Sequence, residues 1–123
     1  MKLNSTTSMV LLAFLVFGAL IAAAALKNAG PSQYDELAQC IDEAGGKMYG
    51  AYWCSACEQQ KADFGSAFKH VEYVECSSPG SHTFDLCPDI VSTPTWEKAD
   101  RSQFTGARSL SDLAAEFGCE DKI

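Results

Sequence analysis

The chain has 123 residues, which leaves room for one domain, or a small domain with a tail, and excludes two full cores. Hydrophobic residues make up 47% and charged residues 20%, a composition that folds and is unlike a disordered chain. A net charge of −7 and a pI near 4.6 disfavour the electrostatic capture of nucleic acid. The six cysteines indicate disulfide chemistry in an oxidising compartment, or a metal site.

Charge is distributed unevenly along the chain. Asp35 is the first of the 16 acidic residues, and Lys2 and Lys27 are the only basic residues before it. Residues 34–123 therefore contain 7 basic and 16 acidic residues, a net charge of −9, whereas residues 1–33 carry +2. This shift divides a basic N-terminal segment from an acidic domain.

Residues 9–26 are 18 consecutive residues without a charged or strongly polar side chain, between a polar tail (1–8) and a linker (27–33). As a helix they would span about 27 Å, close to the roughly 30 Å of a hydrocarbon core. A membrane anchor would leave the amino terminus in the cytoplasm and the domain (34–123) on the extracytoplasmic side. A signal peptide cleaved at the alanines 22–25 would instead release the domain as a secreted protein, although 18 apolar residues exceed the usual apolar length of about 7–15.

Apolar periodicity and turn residues predict alternating helices and strands, then an antiparallel pair and a final helix. The predicted elements are a helix at 34–41, a strand at 47–53, a helix at 54–69, a strand at 71–76, a helical turn at 84–90, hairpin strands at 95–99 and 102–105, and a helix at 109–117. Ser109 is the expected N-cap of the last helix, and Gly118 ends it. This order predicts an α/β fold, a three-layer sandwich with a mixed central sheet.

The sequence Cys54-Ser55-Ala56-Cys57 follows a predicted strand and begins a predicted helix. Backbone N–H groups and the helix macrodipole at such a position stabilise a thiolate on Cys54. Cys57, one turn further on, is placed to close a disulfide with it. We therefore expect Cys54 to be the catalytic sulfur that exchanges with substrate, and Cys57 the catalytic resolving sulfur.

A static disulfide or half of a zinc site is the alternative interpretation of this motif. Zinc ribbons need a second C-x₂-C, whereas Cys76 and Cys87 are much further apart. We expect neither a metal nor a cofactor, and we expect His70 and His82 to be solvated surface residues.

Residues 34–119 resemble a thioredoxin-fold disulfide oxidoreductase, and more narrowly the thioredoxin-like domain fused to bacterial homologues of vitamin K epoxide reductase. The motifs that carry the resemblance are GAYWCSAC at 50–57, YVEC at 73–76, Cys87, TPTW at 93–96, Gly106 and Ser109-Leu110. The resemblance implies that Pro94 is a cis-proline facing the CxxC motif. It also implies that the backbone of Thr93 hydrogen-bonds an incoming peptide.

The chain departs from these families at three positions. Met48 stands where thioredoxin has a buried aspartate, so the general base is unassigned. Ser55-Ala56 stands where the related domains more often carry Pro-His, and this dipeptide tunes the redox potential. The direction of electron flow therefore stays open, and Glu58 is expected on a solvated helix face.

The other four cysteines allow three pairings. The resemblance implies a disulfide between Cys76 and Cys87, which leaves Cys40 to pair with Cys119. The alternative is that these pairs relay electrons from the CxxC motif to a membrane partner. We favour structural disulfides, because small exported domains often need them.

Together these features predict a membrane-tethered thiol–disulfide oxidoreductase that acts on cysteines of exported proteins. A separate quinone-linked membrane oxidase resembling vitamin K epoxide reductase would reoxidise it. The residues expected to form an apolar rim for substrate are Tyr52, Trp53, Thr93, Pro94 and Trp96. The alternatives are a non-catalytic, disulfide-stapled binding module tethered to the membrane, and a metal carrier.

Overall fold

A computed structural model describes residues 4–28 and 31–123, and the chain divides into two compact units, Met1–Gly30 and Pro31–Ile123. The first unit contains helix α1 (Ser5–Asn28), which begins before the predicted apolar segment. Its first 18 residues have a mean hydropathy of 2.1, so α1 is long and apolar enough to be a membrane span or a signal sequence. The predicted tail (1–8) and linker (27–33) lie partly outside the described residues.

The second unit is built on a four-stranded mixed sheet, which confirms the predicted α/β class. Its strands are β1 (Lys47–Gly50), β2 (Glu72–Glu75), β3 (Thr95–Glu97) and β4 (Gln103–Thr105), in the spatial order β2-β1-β3-β4. β1 and β2 are parallel, whereas β1–β3 and β3–β4 are antiparallel. β1 ends three residues earlier than predicted, because the backbone turns after Gly50 and the N–H of Cys54 donates to the Ala51 carbonyl at 3.0 Å.

Three helices flank the sheet: α2 (Asp35–Glu43), α3 (Ser55–Phe64) and α4 (Leu110–Phe117). The helix predicted over 54–69 divides at Gly65, whose φ of 58° leaves the α conformation at low steric cost, and a 3₁₀ helix continues over Gly65–His70. At the start of α4 the Ser109 side chain accepts the N–H of Asp112 at 3.1 Å, as its predicted role as N-cap requires.

The side of the sheet that faces the helices carries the larger core. Met48, Tyr73, Trp96 and Phe104 are aligned across the four strands and pack with the helices. Fully buried helical residues complete this core, among them Leu37, Ile41, Phe64 and Leu113. The floor beneath the CxxC helix is therefore apolar and aromatic.

The opposite side of the sheet is covered by the segment between β2 and β3. Tyr49 and Val74 pack there against Cys76, Cys87 and Ile90. The helical turn predicted at 84–90 is wrong, since this segment makes two successive reverse turns, closed by hydrogen bonds from Cys87 to Phe84 and from Ile90 to Cys87. Pro88 has no N–H to continue a helix, and the N–H of Leu86 donates instead to the Cys76 carbonyl at 3.0 Å.

Candidate active site

Cys54 and Cys57 form a disulfide at the start of α3, with 5.3 Å between their Cα atoms. Cys54 is the N-cap of the helix, and the N–H of Cys57 donates to its Sγ at 3.1 Å. Cys54 is 7% exposed and Cys57 is fully buried. An incoming sulfur can therefore reach Cys54 from solvent, whereas Cys57 is sealed beneath it.

The backbone of Thr93 lies beside the Cys54 sulfur. The Thr93–Pro94 peptide bond is cis, and the Sγ of Cys54 lies 3.5 Å from the Thr93 carbonyl oxygen. Thr93 is half-buried and Pro94 is fully buried. The predicted contacts of Thr93 with a peptide would thus be made by its backbone next to Cys54.

Two residues of the predicted rim are exposed beside Cys54, and one predicted member lies elsewhere. Tyr52 and Trp53, which directly precede Cys54, are 44% and 36% exposed. The prediction that Trp96 belongs to this rim is wrong, because Trp96 lies on the helix-facing side of β3 and is fully buried against Phe64 and Phe117.

The loop after β2 supplies rim residues that sequence reasoning missed. Trp53 stacks on Phe84 with 5.5 Å between ring centroids and an interplanar angle of 14°, and the His82 ring lies 5.9 Å from Trp53 and 6.2 Å from Tyr52. We call Tyr52, Trp53, His82 and Phe84 the aromatic shelf. His82 is exposed as predicted, but it also packs on the two rings beside Cys54. The predicted Cys76–Cys87 disulfide was the feature of the sequence that could have indicated this arrangement, because it holds the loop close to the end of β2.

Polar groups beneath the rim are concentrated on β2. The Glu75 carboxylate accepts the N–H of Tyr52 at 2.9 Å, the N–H of Ser77 at 3.3 Å and the hydroxyl of Tyr73 at 2.6 Å. Burial raises the pKa of Tyr73, and the hydrogen bond and negative charge of Glu75 raise it further. Tyr73 is paired with Met48 in the register of β1 and β2. Met48 has no polar group, so the polar side chain of this pair is Tyr73 on β2.

Lys61 on α3 joins this region to the helix. Its Nζ lies 3.3 Å from the Glu58 carboxylate and 4.1 Å from the centroid of the Tyr73 ring. Glu58 itself is exposed, consistent with a solvated helix face. The ammonium and the aromatic ring thus link α3 to β2 behind the CxxC motif.

We predict that Glu75→Gln lowers the pKa of Tyr73, because the hydrogen bond to a carboxylate and its charge are both lost. The pKa stays above the ordinary value of about 10, since burial persists. An ultraviolet titration of phenolate, with Tyr73→Phe to assign the signal, measures this change. Glu72→Gln on the same strand is the control, because Glu72 pairs with Lys47. An unchanged Tyr73 titration in Glu75→Gln would contradict the assignment.

The raised pKa of Tyr73 makes the free energy of unfolding depend on pH. The folded chain holds the Tyr73 proton more tightly than the unfolded chain. The corresponding stability is complete below about pH 10 and is lost as the pH rises towards the pKa of the folded state.

All six cysteines lie in the described part of the chain, and none of them is free. Cys40 and Cys119 are bonded with Cα atoms 6.0 Å apart, and Cys76 and Cys87 with Cα atoms 4.9 Å apart. The Cys76–Cys87 pair belongs to the packing on the sheet face opposite the helices, whereas the other four cysteines pack with the helix-facing core.

His70 is more enclosed than the predicted surface residue. It is half-buried, its Nε2 lies 3.5 Å from a carboxylate oxygen of Asp35, and it links the 3₁₀ helix to α2. Across residues 4–28 and 31–123, no three histidine, cysteine or acidic side chains are grouped as metal ligands.

No protein-family model matches the chain. Among curated proteins it is similar to the protein named thiol-disulfide oxidoreductase LTO1 from Arabidopsis thaliana, with 39% identity over 89 residues. The alignment covers 67% of this chain, which spans only 23% of the length of that relative.

Proposed function

We propose that this chain is a thiol–disulfide oxidoreductase whose working pair is Cys54–Cys57. The observation that carries the proposal is the disulfide at the N-terminus of α3, in which Cys54 is 7% exposed beside the Thr93 backbone and Cys57 is fully buried. The similarity to a relative named as a thiol-disulfide oxidoreductase supports the same chemistry.

In the oxidising direction, a substrate thiolate attacks the Sγ of Cys54 and the Cys54–Cys57 bond breaks, so that Cys57 leaves as a thiolate. A second substrate thiolate then attacks the substrate sulfur of the mixed disulfide and releases Cys54. The substrate loses two electrons and forms a disulfide, and the chain becomes a dithiol. The Cys57 N–H and the positive end of α3 stabilise the Cys54 thiolate that leaves.

In the reducing direction the same bonds are exchanged in reverse. The Cys54 thiolate attacks a substrate disulfide and releases one substrate thiolate. Cys57, after losing its proton, attacks Cys54 and releases the second. The redox potential of the Cys54–Cys57 couple decides between the directions: a value of about −270 mV favours a reductase, and a value of about −120 mV favours an oxidase.

We further propose that α1 anchors the chain in a membrane with the domain on the extracytoplasmic side. Its substrates there would be cysteines of exported proteins, and a quinone-linked membrane enzyme resembling vitamin K epoxide reductase would reoxidise it. The length and apolar composition of α1 support the anchor. Retention of the full-length chain in carbonate-washed membranes tests it, and a shortened, soluble product would refute it.

Selective reduction tests the working pair directly. After brief exposure to dilute dithiothreitol and then an alkylating reagent, mass spectrometry should find label on Cys54 and Cys57 and none on the other four cysteines. The reason is that Cys54 sits at a helix N-terminus, where the N–H of Cys57 and the helix dipole stabilise the thiolate that forms on reduction. Equal resistance of all three disulfides, with no turnover of protein thiols or disulfides, would favour the non-catalytic binding module instead.

A further inference from the structure

We propose that Ser77 is a positioning residue for polypeptide substrates, because it holds the Trp53 ring in place next to Cys54. This inference rests on the proposed oxidoreductase function and deepens it. It assigns to the loop between Cys76 and Cys87 a part in binding substrate, in addition to its structural role.

The Ser77 hydroxyl connects Trp53 to the loop. It accepts the indole N–H of Trp53 at 2.8 Å and donates to the Thr83 carbonyl at 2.6 Å. Ser77 is only 1% exposed, so solvent has little access to replace the hydroxyl when it is removed. Alanine at this position therefore leaves the indole N–H without its acceptor.

The backbone of Ser77 is itself held in place. Its N–H donates to Glu75, and the preceding residue, Cys76, is bonded to Cys87. The carbonyl of Cys76 also accepts the N–H of Leu86. The hydroxyl that accepts the indole N–H is thus fixed to the end of β2. That strand is hydrogen-bonded to β1, which ends just before the CxxC motif.

Stacking alone does not fix the orientation of Trp53. The stacked contact with Phe84 and the contact with His82 define the plane of the indole, but a half-turn about the Cβ–Cγ bond keeps the ring in that plane and exchanges its two edges. The directional hydrogen bond to Ser77 removes this freedom. The exposed edge of Trp53 is consequently presented to a substrate in one orientation.

A polypeptide that reacts at Cys54 contacts the aromatic shelf, whereas a small dithiol has to contact only the Cys54 sulfur. Ser77→Ala should therefore raise KM for a reduced, unfolded protein about three- to tenfold, the range expected from losing one hydrogen bond, and leave kcat nearly unchanged. The rate at which dithiothreitol reduces the Cys54–Cys57 disulfide should stay at the wild-type value. Iodide should quench the fluorescence of Trp53 more strongly in this variant.

Ser78→Ala is the matched control. Ser78 is the next residue of the same loop, and its hydroxyl bonds Asp85 instead of the indole. This variant should keep the wild-type KM and the wild-type quenching by iodide. A KM increase equal to that of Ser77→Ala would show that any disturbance of the loop has this effect, and would overturn the inference.

A double-mutant cycle with Trp53→Phe isolates the hydrogen bond, because phenylalanine keeps an aromatic ring and lacks the indole N–H. Ser77→Ala should have no further effect on KM in the Trp53→Phe background. If its effect persists in full, Ser77 acts through Thr83 and the inference is wrong. If the wild-type chain itself turns over no protein substrate, the proposed function fails, whereas normal wild-type turnover with an unaltered KM in Ser77→Ala overturns only the positioning role.

Discussion

Replacing Cys54 by serine is expected to abolish dithiol turnover. The hydroxyl of serine cannot form the mixed disulfide, and the buried Cys57 is out of reach of an incoming protein sulfur. Rates of insulin reduction and of oxidative refolding of a reduced protein should both fall to the rates measured without enzyme. Wild-type rates in Cys54→Ser would refute the assignment of this sulfur.

Cys57→Ser is the informative companion variant. Cys54 keeps its small solvent-exposed surface and its place at the start of α3, so it still attacks a substrate disulfide, but no resolving thiolate releases the product. Mixed disulfides with substrate should accumulate, visible as adducts under non-reducing electrophoresis. Adducts that form equally in Cys54→Ser would show that another cysteine performs the exchange.

Removing the disulfide between Cys40 and Cys119 is expected to have the largest effect on stability. The two cysteines are separated by 79 positions in the sequence, and in the chain-entropy model the loss of their bond lowers the free energy of unfolding by about 4.5 kcal/mol. The Cys76–Cys87 bond, with a separation of 11, should contribute about 3 kcal/mol by the same relation. Urea unfolding of the two double-serine variants under oxidising conditions measures both values.

The comparison between the two variants is sharper than either value alone, since each keeps the other disulfide and both keep the CxxC motif. Cys40→Ser/Cys119→Ser should unfold at the lower urea concentration. The reverse order would mean that native packing at the disulfides outweighs the entropy of the unfolded chain.

The strands and the CxxC helix were predictable because local patterns determine them. Alternation at 71–76 identified β2, and the position of the CxxC motif after a predicted strand identified the start of the helix. The break at Gly65 was not predicted, since one helix was expected over 54–69; a residue with φ near 58° cannot continue it. These features depend on residues close in sequence.

The rim and the segment after β2 were less predictable because tertiary contacts decide them. Trp96 was expected in the rim beside Pro94. Successive side chains of a strand point to opposite faces of the sheet, and on β3 Trp96 points to the face that packs against the helices. The segment 84–90 does not form the predicted helical turn. The Cys76–Cys87 disulfide and the hydrogen bond from the Leu86 N–H to the Cys76 carbonyl hold it in reverse turns instead. No local sequence pattern predicts the hydrogen bond between Ser77 and Trp53, which are 24 residues apart.

The disulfide between Cys40 and Cys119 also has a topological consequence. With that bond closed, residues 40–119 form a covalent ring that contains the whole sheet and the CxxC motif. A protease that cuts one peptide bond inside the ring opens it but releases no fragment, because both pieces stay joined through sulfur. The nicked domain therefore remains in one piece until a second cut or a strong reductant separates the pieces.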